Sequence, residues 1–296
     1  GTSSDTHYEH AEMVDSIPST VTAVRSAAGV IHRLYVGDTG GAVWRVDLPQ
    51  GSGPEYRKNN WFVTKLAELG ADGLTTDRRF FHQPDIVQSF DSNGDFDGVL
   101  ISSGNRALPL ETDVQNYHFY LKDRFTASGD QAVKLRPPLV IDDAILPDQT
   151  ACVRGDEGTG VCASDLDLLN GWKIAMTRPG EKGLATPLID GGRVFFTSFV
   201  PASGPASCEP SEGESFLTIV NLADATAIPN QLRIYDLGPG LSSGATVVGD
   251  AILIPGSGLP VEAGESGGDP EMLKLVPSLS RRIIPIYWRE PGVDRL

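Results

Sequence analysis

The chain has 296 residues, 40% hydrophobic and 21% charged, with 24 Lys and Arg against 39 Asp and Glu and a formal net charge of −15. This length can bury a large core, the acidic balance argues against nucleic acid or an anionic membrane as direct ligand, and no apolar run is long enough to span a bilayer. The 33 Gly and 21 Pro, with few sustained helical periodicities, fit an all-β chain of short strands joined by turns.

No charged segment followed by an apolar one opens the chain at Gly1, so any export signal is expected to have been removed. Residues 1–15 are polar, with His7 and His10 among Asp5, Glu9 and Glu12. A frayed terminus is expected rather than a metal site. Strands then follow in a recurring order. Val21–Val24, His32–Val36, Ala42–Leu48 and Trp61–Leu66 form a first unit, with Gly37–Gly41 as a tight hairpin signal. Asp85–Phe90, Val99–Ser102 and Tyr117–Leu121 form a second. Thr186–Ile189, Arg193–Ser198 and Phe216–Val220 form a third, and Thr246–Val248, Ala251–Ile254 and Met272–Val276 a fourth.

Repeats of about 45–65 residues with four strands each are the pattern of propeller blades. The expectation is one β-propeller domain over residues 1–296, with four blade-like units visible and a larger or modified ring equally compatible. Trp44-Arg45, Trp172-Lys173 and Trp288-Arg289 are read as aromatic–basic pairs in outer strands, the ring on one face and the cation on the other. Residues 137–170, with Asp142, Asp143, Asp148, Asp156 and Glu157, are read as an acidic surface insertion. Within it, Cys152 and Cys162 flank a Gly-rich loop and are expected to pair. Cys208 is the competing partner, and three free thiols remain a third option.

The stretch Asp91–Ser103 carries the strongest chemical signal. Oxygen-bearing side chains stand at Asp91, Asn93, Asp95 and Asp97, with Gly94 and Gly98 between them. Alternate oxygen ligands on a glycine-relieved turn suit Ca²⁺, although the same residues also make metal-free turns. The ninth place of the usual calcium loop falls on Val99, so Asp97 is expected to serve instead.

Other chemistry is absent or out of context. Gly240–Gly244 matches the hydrolase nucleophile pattern but is followed by a β-branched run rather than a helix, so a turn between blades is expected. His32, His82 and His118 lie in or beside strand patterns and are read as hydrogen-bonded structural histidines. No phosphate loop or zinc-protease motif occurs, and no enzymatic activity is expected.

Several segments together resemble the C-terminal propeller of PilY-type proteins, the tip-associated adhesins of bacterial type IV pili. They are Ser16–Ser19, Leu34–Leu48, Arg78–Phe81, Asp97–Leu100, Ser103–Pro109, Gly180–Ala185 and Arg193–Thr197, in the family's order. The resemblance implies an extracellular or outer-membrane-associated protein at the pilus tip. It also implies roles in pilus biogenesis, twitching motility and adhesion to surfaces or host cells, with Ca²⁺ as regulator. Minor pilins are the implied partners, reached through an N-terminal region these residues do not contain, together with a host or surface receptor. Family members often carry a calcium loop just before the Tyr-Val-Gly-Asp strand; here Val24–His32 has no carboxylate. Two other classes are weighed. Tyr35–Asp38 followed by Trp44–Asp47 is also similar to the repeat of quinoprotein dehydrogenases, but an adjacent cysteine pair and regular blades are missing. A ligand-free scaffold propeller is the third.

Overall fold

The computed structural model describes residues 2–3, 8–26, 28–48, 61–124, 140–152, 162–163, 167–202, 212–229, 231–248 and 251–253. Among them the chain is all-β, with one 3-10 turn at Asp167–Asn170. A two-stranded pair, β1 (Thr2–Ser3) and β2 (Tyr8–Glu9), precedes three antiparallel blades.

Blade 1 runs β3 (Thr22–Arg25), β4 (Ile31–Gly37), β5 (Ala42–Asp47) and β6 (Phe62–Glu68) from inside to outside. Blade 2 runs β7 (Asp85–Asp91), β8 (Gly94–Ser102) and β9 (Tyr117–Asp123). The chain then returns to the outer edge of blade 1 as β10 (Ile141–Asp142), parallel to β6, before completing blade 2 with β11 (Gly171–Ala175). Blade 3 has a divided inner strand, β12 (Lys182–Gly183) and β13 (Leu188–Asp190), then β14 (Arg193–Val200), β15 (Glu214–Asn221) and β16 (Ile234–Pro239). The hairpin β17 (Thr246–Val248) and β18 (Ala251–Leu253) opens the fourth unit; Met272–Val276, Trp288-Arg289 and Cys208 lie outside the described residues.

Period-two alternation explains why the blades need one another. In a strand, successive side chains point to opposite faces. On blade 2, Val99, Ile101, Phe119 and Leu121 pack with Tyr35, Val43 and Leu66 of blade 1. The intervening Phe96, Leu100 and Tyr120 pack with Val194, Phe196 and Val220 of blade 3. On blade 3, Phe195, Leu217 and Ile219 face the other way, toward Ala245 and Val247. Each blade is apolar on both faces, so none is stable alone.

Three sequence expectations change here. Trp44 and Arg45 do occupy opposite faces, but β5 is the third strand of its blade, with β6 outside it; Trp172-Lys173 is in an outer strand as expected. The N-terminal segment is not simply frayed. Met13 packs on the outer face of blade 1 with Val36, Ala42 and Trp44, and the His10 ring meets Trp44 edge-on at 5.2 Å. The acidic insertion is also more than a surface loop. Its β10 extends blade 1, Ile141 and Leu146 enter the core, and Asp143 pairs with Lys173 at 2.8 Å and Arg78 at 3.4 Å. Cys152 and Cys162 are bonded to each other, as their spacing led us to expect.

Two glycines are fixed by geometry. Gly171 begins β11 with φ +116°, and a Cβ there would overlap the Tyr120 carbonyl on β9. Gly41 has φ +88° and meets the Gly70 backbone, so both turns require the residue without a side chain.

His118 shows how polar atoms are carried through this core. It is buried, its Nδ1 lies 2.8 Å from the Ser102 hydroxyl across the β8–β9 pair, and its ring stacks on Phe196 at 4.3 Å. Burial lowers its pKa to about 3. Between that value and its ordinary one the unfolded chain binds the extra proton, so stability falls as pH falls. We therefore expect this group to contribute a loss approaching ~1.4 kcal/mol per pH unit below about pH 6.5. Chemical denaturation between pH 7 and 4 should show that slope in wild type and a flatter one in His118→Gln.

Candidate functional site

The predicted oxygen ligands lie on the β7–β8 hairpin. Only Ser92 and Asn93 separate the strands, and the register pairs Asp91 with Gly94, Phe90 with Asp95 and Gln88 with Asp97. Residues directly opposite in an antiparallel pair share a face, and successive ones alternate. Asp91 therefore lies on the face of Gly94 and Phe96, whereas Asp95 and Asp97 lie on the other. Gly94 accepts the tight turn with φ +108°.

Asp91 is already engaged by cations. Its carboxylate receives two hydrogen bonds from Arg124, at 2.8 and 2.6 Å, and one from Lys122 at 3.2 Å, while Oδ1 also accepts the Asn93 N–H at 2.9 Å. The Arg124 guanidinium holds its pKa well below the usual carboxylate range, reinforced by the Asn93 amide and Lys122 against the opposing effect of burial. Arg124 and Lys122 lie over the Phe96 ring at 5.1 and 5.2 Å. Arg124 Nε also reaches the Leu169 carbonyl at 2.8 Å. The hairpin tip is thus stapled to the end of β9 and to the turn before β11.

Asn93 and Asp95 are exposed at the tip, and Asp97 is buried against blade 1. The four residues do not converge, and among the described residues no group of three or more His, Cys, Asp or Glu is arranged to hold a metal ion. As they stand, these residues do not fit Ca²⁺. A cation site here would require Asp91 to leave Arg124 and the hairpin to open.

Asp97 belongs instead to a ring of charges that the sequence pattern did not single out. Three cross-strand pairs form it: Arg33 with Asp47 and Tyr35 with Arg45 on blade 1, and Asp97 with Asp123 on blade 2. Arg33 donates to Asp47 at 2.9 Å and to Asp97 at 2.5 Å. Arg45 donates to Asp47 at 2.9 Å and to both Asp123 oxygens at 2.9 and 2.8 Å. The Tyr35 hydroxyl lies 2.9 Å from Asp97 and 2.7 Å from Asp123, its one hydrogen serving both. All six side chains are almost entirely buried.

The electrostatics follow from that enclosure. Burial raises the Tyr35 pKa well above its ordinary value, and the two carboxylates push it further, so the phenol stays a donor. Burial also raises Asp47, against the pull of Arg45 and Arg33. For Arg33 and Arg45 burial opposes the charge, but the surrounding oxygens outweigh it and both stay protonated. Two like charges directly opposite on neighbouring strands destabilise a sheet. Asp97 and Asp123 are tolerated there because Arg33, Tyr35 and Arg45 reach across from blade 1.

The turn that presents this ring has its own logic. Asp38 Oδ1 accepts the N–H groups of Gly40 and Ala42, each at 2.9 Å, and Oδ2 accepts the Trp44 indole N–H at 2.6 Å. The Gly37–Gly41 hairpin is therefore locked to the strand that carries Arg45.

The other histidines divide. His118 is hydrogen-bonded as read, whereas His32 Nδ1 and His82 Nε2 are buried without a partner among the described residues. Gly240–Gly244 connects β16 to β17, strand to strand, as expected of a link between blades.

No known protein family and no curated protein matches the chain. Blades of this kind, packed face to face, define a β-propeller fold. Among solved structures, the crystal structure of the Pseudomonas aeruginosa PilY1 C-terminal domain matches with a TM-score of 0.51 and 13% identity over 75% of this chain. The chain spans 50% of that structure, and at this identity the likeness is one of fold.

If Asp91 serves the protein's own cations, Asp91→Ala should lower stability by about 1 kcal/mol, the scale of a partly exposed charge-assisted pair. Thermal melts should give the same loss in calcium and in chelator. A calcium-dependent rise in wild type that Asp91→Ala and Asp95→Ala both abolish would instead place the cation at this hairpin.

Proposed function

We propose that this chain is the propeller of a type IV pilus-associated protein, acting in pilus biogenesis, twitching motility and adhesion. The observation that carries the reading is the fold likeness to the PilY1 C-terminal domain over 75% of the chain. The ordered segments from Ser16–Ser19 to Arg193–Thr197 support it independently. The reading places the protein outside the cell, at or near the pilus tip, with minor pilins and a surface or host receptor as partners. Among the described residues no helix is long and apolar enough to cross a membrane.

The proposed role is non-catalytic, a rigid interaction module rather than a quinone-dependent dehydrogenase. It assigns Ca²⁺ no part at Asp91–Asp97, whose donors are split between two faces of a hairpin. Deleting the gene in its native host should abolish twitching and surface pili, and restoring it should recover both. Immunogold labelling should mark pilus ends. Normal twitching and piliation in the deletion strain, with no label on pili, would overturn the proposal.

A further inference from the structure

The inner strands of neighbouring blades touch near the propeller axis. The Asp85 carboxylate accepts the N–H of Ile189 on β13 at 2.8 Å and that of Ile86 at 3.0 Å, which ties β7 to blade 3. The segments leading into β7, β13 and β17 enclose a cleft of about 670 Å³, within the range of small-ligand sites. His82 and Gln83 line it from blade 2, residues 184–188 from blade 3, and residues 241–246 from the link to the fourth unit. Arg106 reaches in from the β8–β9 connection.

Three polar side chains of this cleft lack partners among the described residues. The Arg106 side chain has no hydrogen bond or ion pair among the described residues, and neither has the Gln83 amide. His82 Nε2 is buried and unpartnered. Burial, and then the charge of Arg106, lower the His82 pKa, so at neutral pH the imidazole is uncharged and suited to a neutral hydroxyl. The hydroxyl residues Thr186, Ser243 and Thr246 complete the polar lining, with Leu184 and Pro187 as apolar wall. A purely apolar ligand would leave these donors unpaired, which costs about 1–3 kcal/mol for each buried group. A dianion such as phosphate would meet one free cation among the described residues of the lining and, in the same cleft, the Asp85 carboxylate, itself raised in pKa by burial.

We propose that this axial cleft binds a singly charged, hydroxyl-rich ligand of the acidic-sugar class. Its carboxylate would pair with Arg106, and a ring hydroxyl with His82 Nε2. One carboxylate matches the single guanidinium among the described lining residues, and sugar hydroxyls match a neutral imidazole, an amide and three hydroxyl side chains. The site does not depend on the pilus reading and stands or falls separately from it.

Calorimetric titration or saturation-transfer NMR of the whole chain with glucuronate, glucose and inorganic phosphate tests it. Glucuronate should bind with a Kd of about 1 mM or tighter, and glucose and phosphate about tenfold more weakly. Arg106→Gln, on an exposed side chain, should weaken glucuronate about tenfold and leave the melting temperature unchanged. His82→Gln should weaken glucuronate and glucose together. No glucuronate binding at about 10 mM, equal affinity in Arg106→Gln, or tighter binding of phosphate would overturn the assignment.

Discussion

The structure depends on how charge is buried between blades 1 and 2. Arg33, Arg45, Asp47, Asp97, Asp123 and Tyr35 close a ring of hydrogen bonds in which every member touches at least two others. Such a network adds little to stability compared with a well-packed apolar contact, because desolvating the ions offsets most of their attraction. Its consequence is specificity. If blade 2 slid by one residue, Asp97 and Asp123 would leave the face of Arg33 and Arg45, and unpaired charges would be buried in apolar surroundings. The apolar part of the same interface, Val43, Leu66, Val99, Ile101 and Phe119, supplies adhesion but tolerates slippage. The ring removes that freedom and fixes the angle at which successive blades meet.

That constraint has effects at both ends of blade 2. Toward the edge, Lys122 and Arg124 flank Asp123 on β9 and point to the opposite face, where they hold Asp91 and fix the hairpin tip. Toward the axis, Asp85 fixes β7 against β13 through the Ile189 backbone amide. A blade held at its edge, its face and its inner strand is a rigid body, as a preorganised binding cleft at the axis requires. The β10 return strand adds a further tie by linking the outer edge of blade 1 to the chain that completes blade 2.

Much of the fold was legible because both faces of every blade are buried. Strands β3 to β7, β9 and β13 to β15 lie where alternation and Gly-rich turns put them, whereas β8 begins at Gly94, inside the stretch read as a cation loop; Trp44 and Arg45 point opposite ways as strand geometry demands. The candidate site was less legible. Asp91, Asn93, Asp95 and Asp97 have the spacing of a cation loop, but the same letters make a two-residue hairpin, and a hairpin inverts the face on which spaced residues appear. Whether carboxylates meet a metal or the protein's own arginines is decided by partners far along the chain, 64 residues away for Asp97 and Arg33. Nor did local pattern place Arg33 or Asp47 inside, because a charged residue in an alternating strand reads as solvent-facing until a second blade covers it. The β7–β8 pairing of blade 2 brings His82 and Arg106 to one end of the blade, but only blade 3 and the link beyond it make that end a cleft, which single-chain periodicity does not encode.

The most direct test of this account is a double-mutant cycle between the blades, using Arg33→Gln, Asp97→Asn and the pair, read by urea denaturation. If the ring joins blade 1 to blade 2, the two substitutions should be coupled by at least about 2 kcal/mol, with the double variant less damaged than the sum of the singles. Additivity to within about 0.5 kcal/mol would show the two residues to be energetically independent and would contradict it.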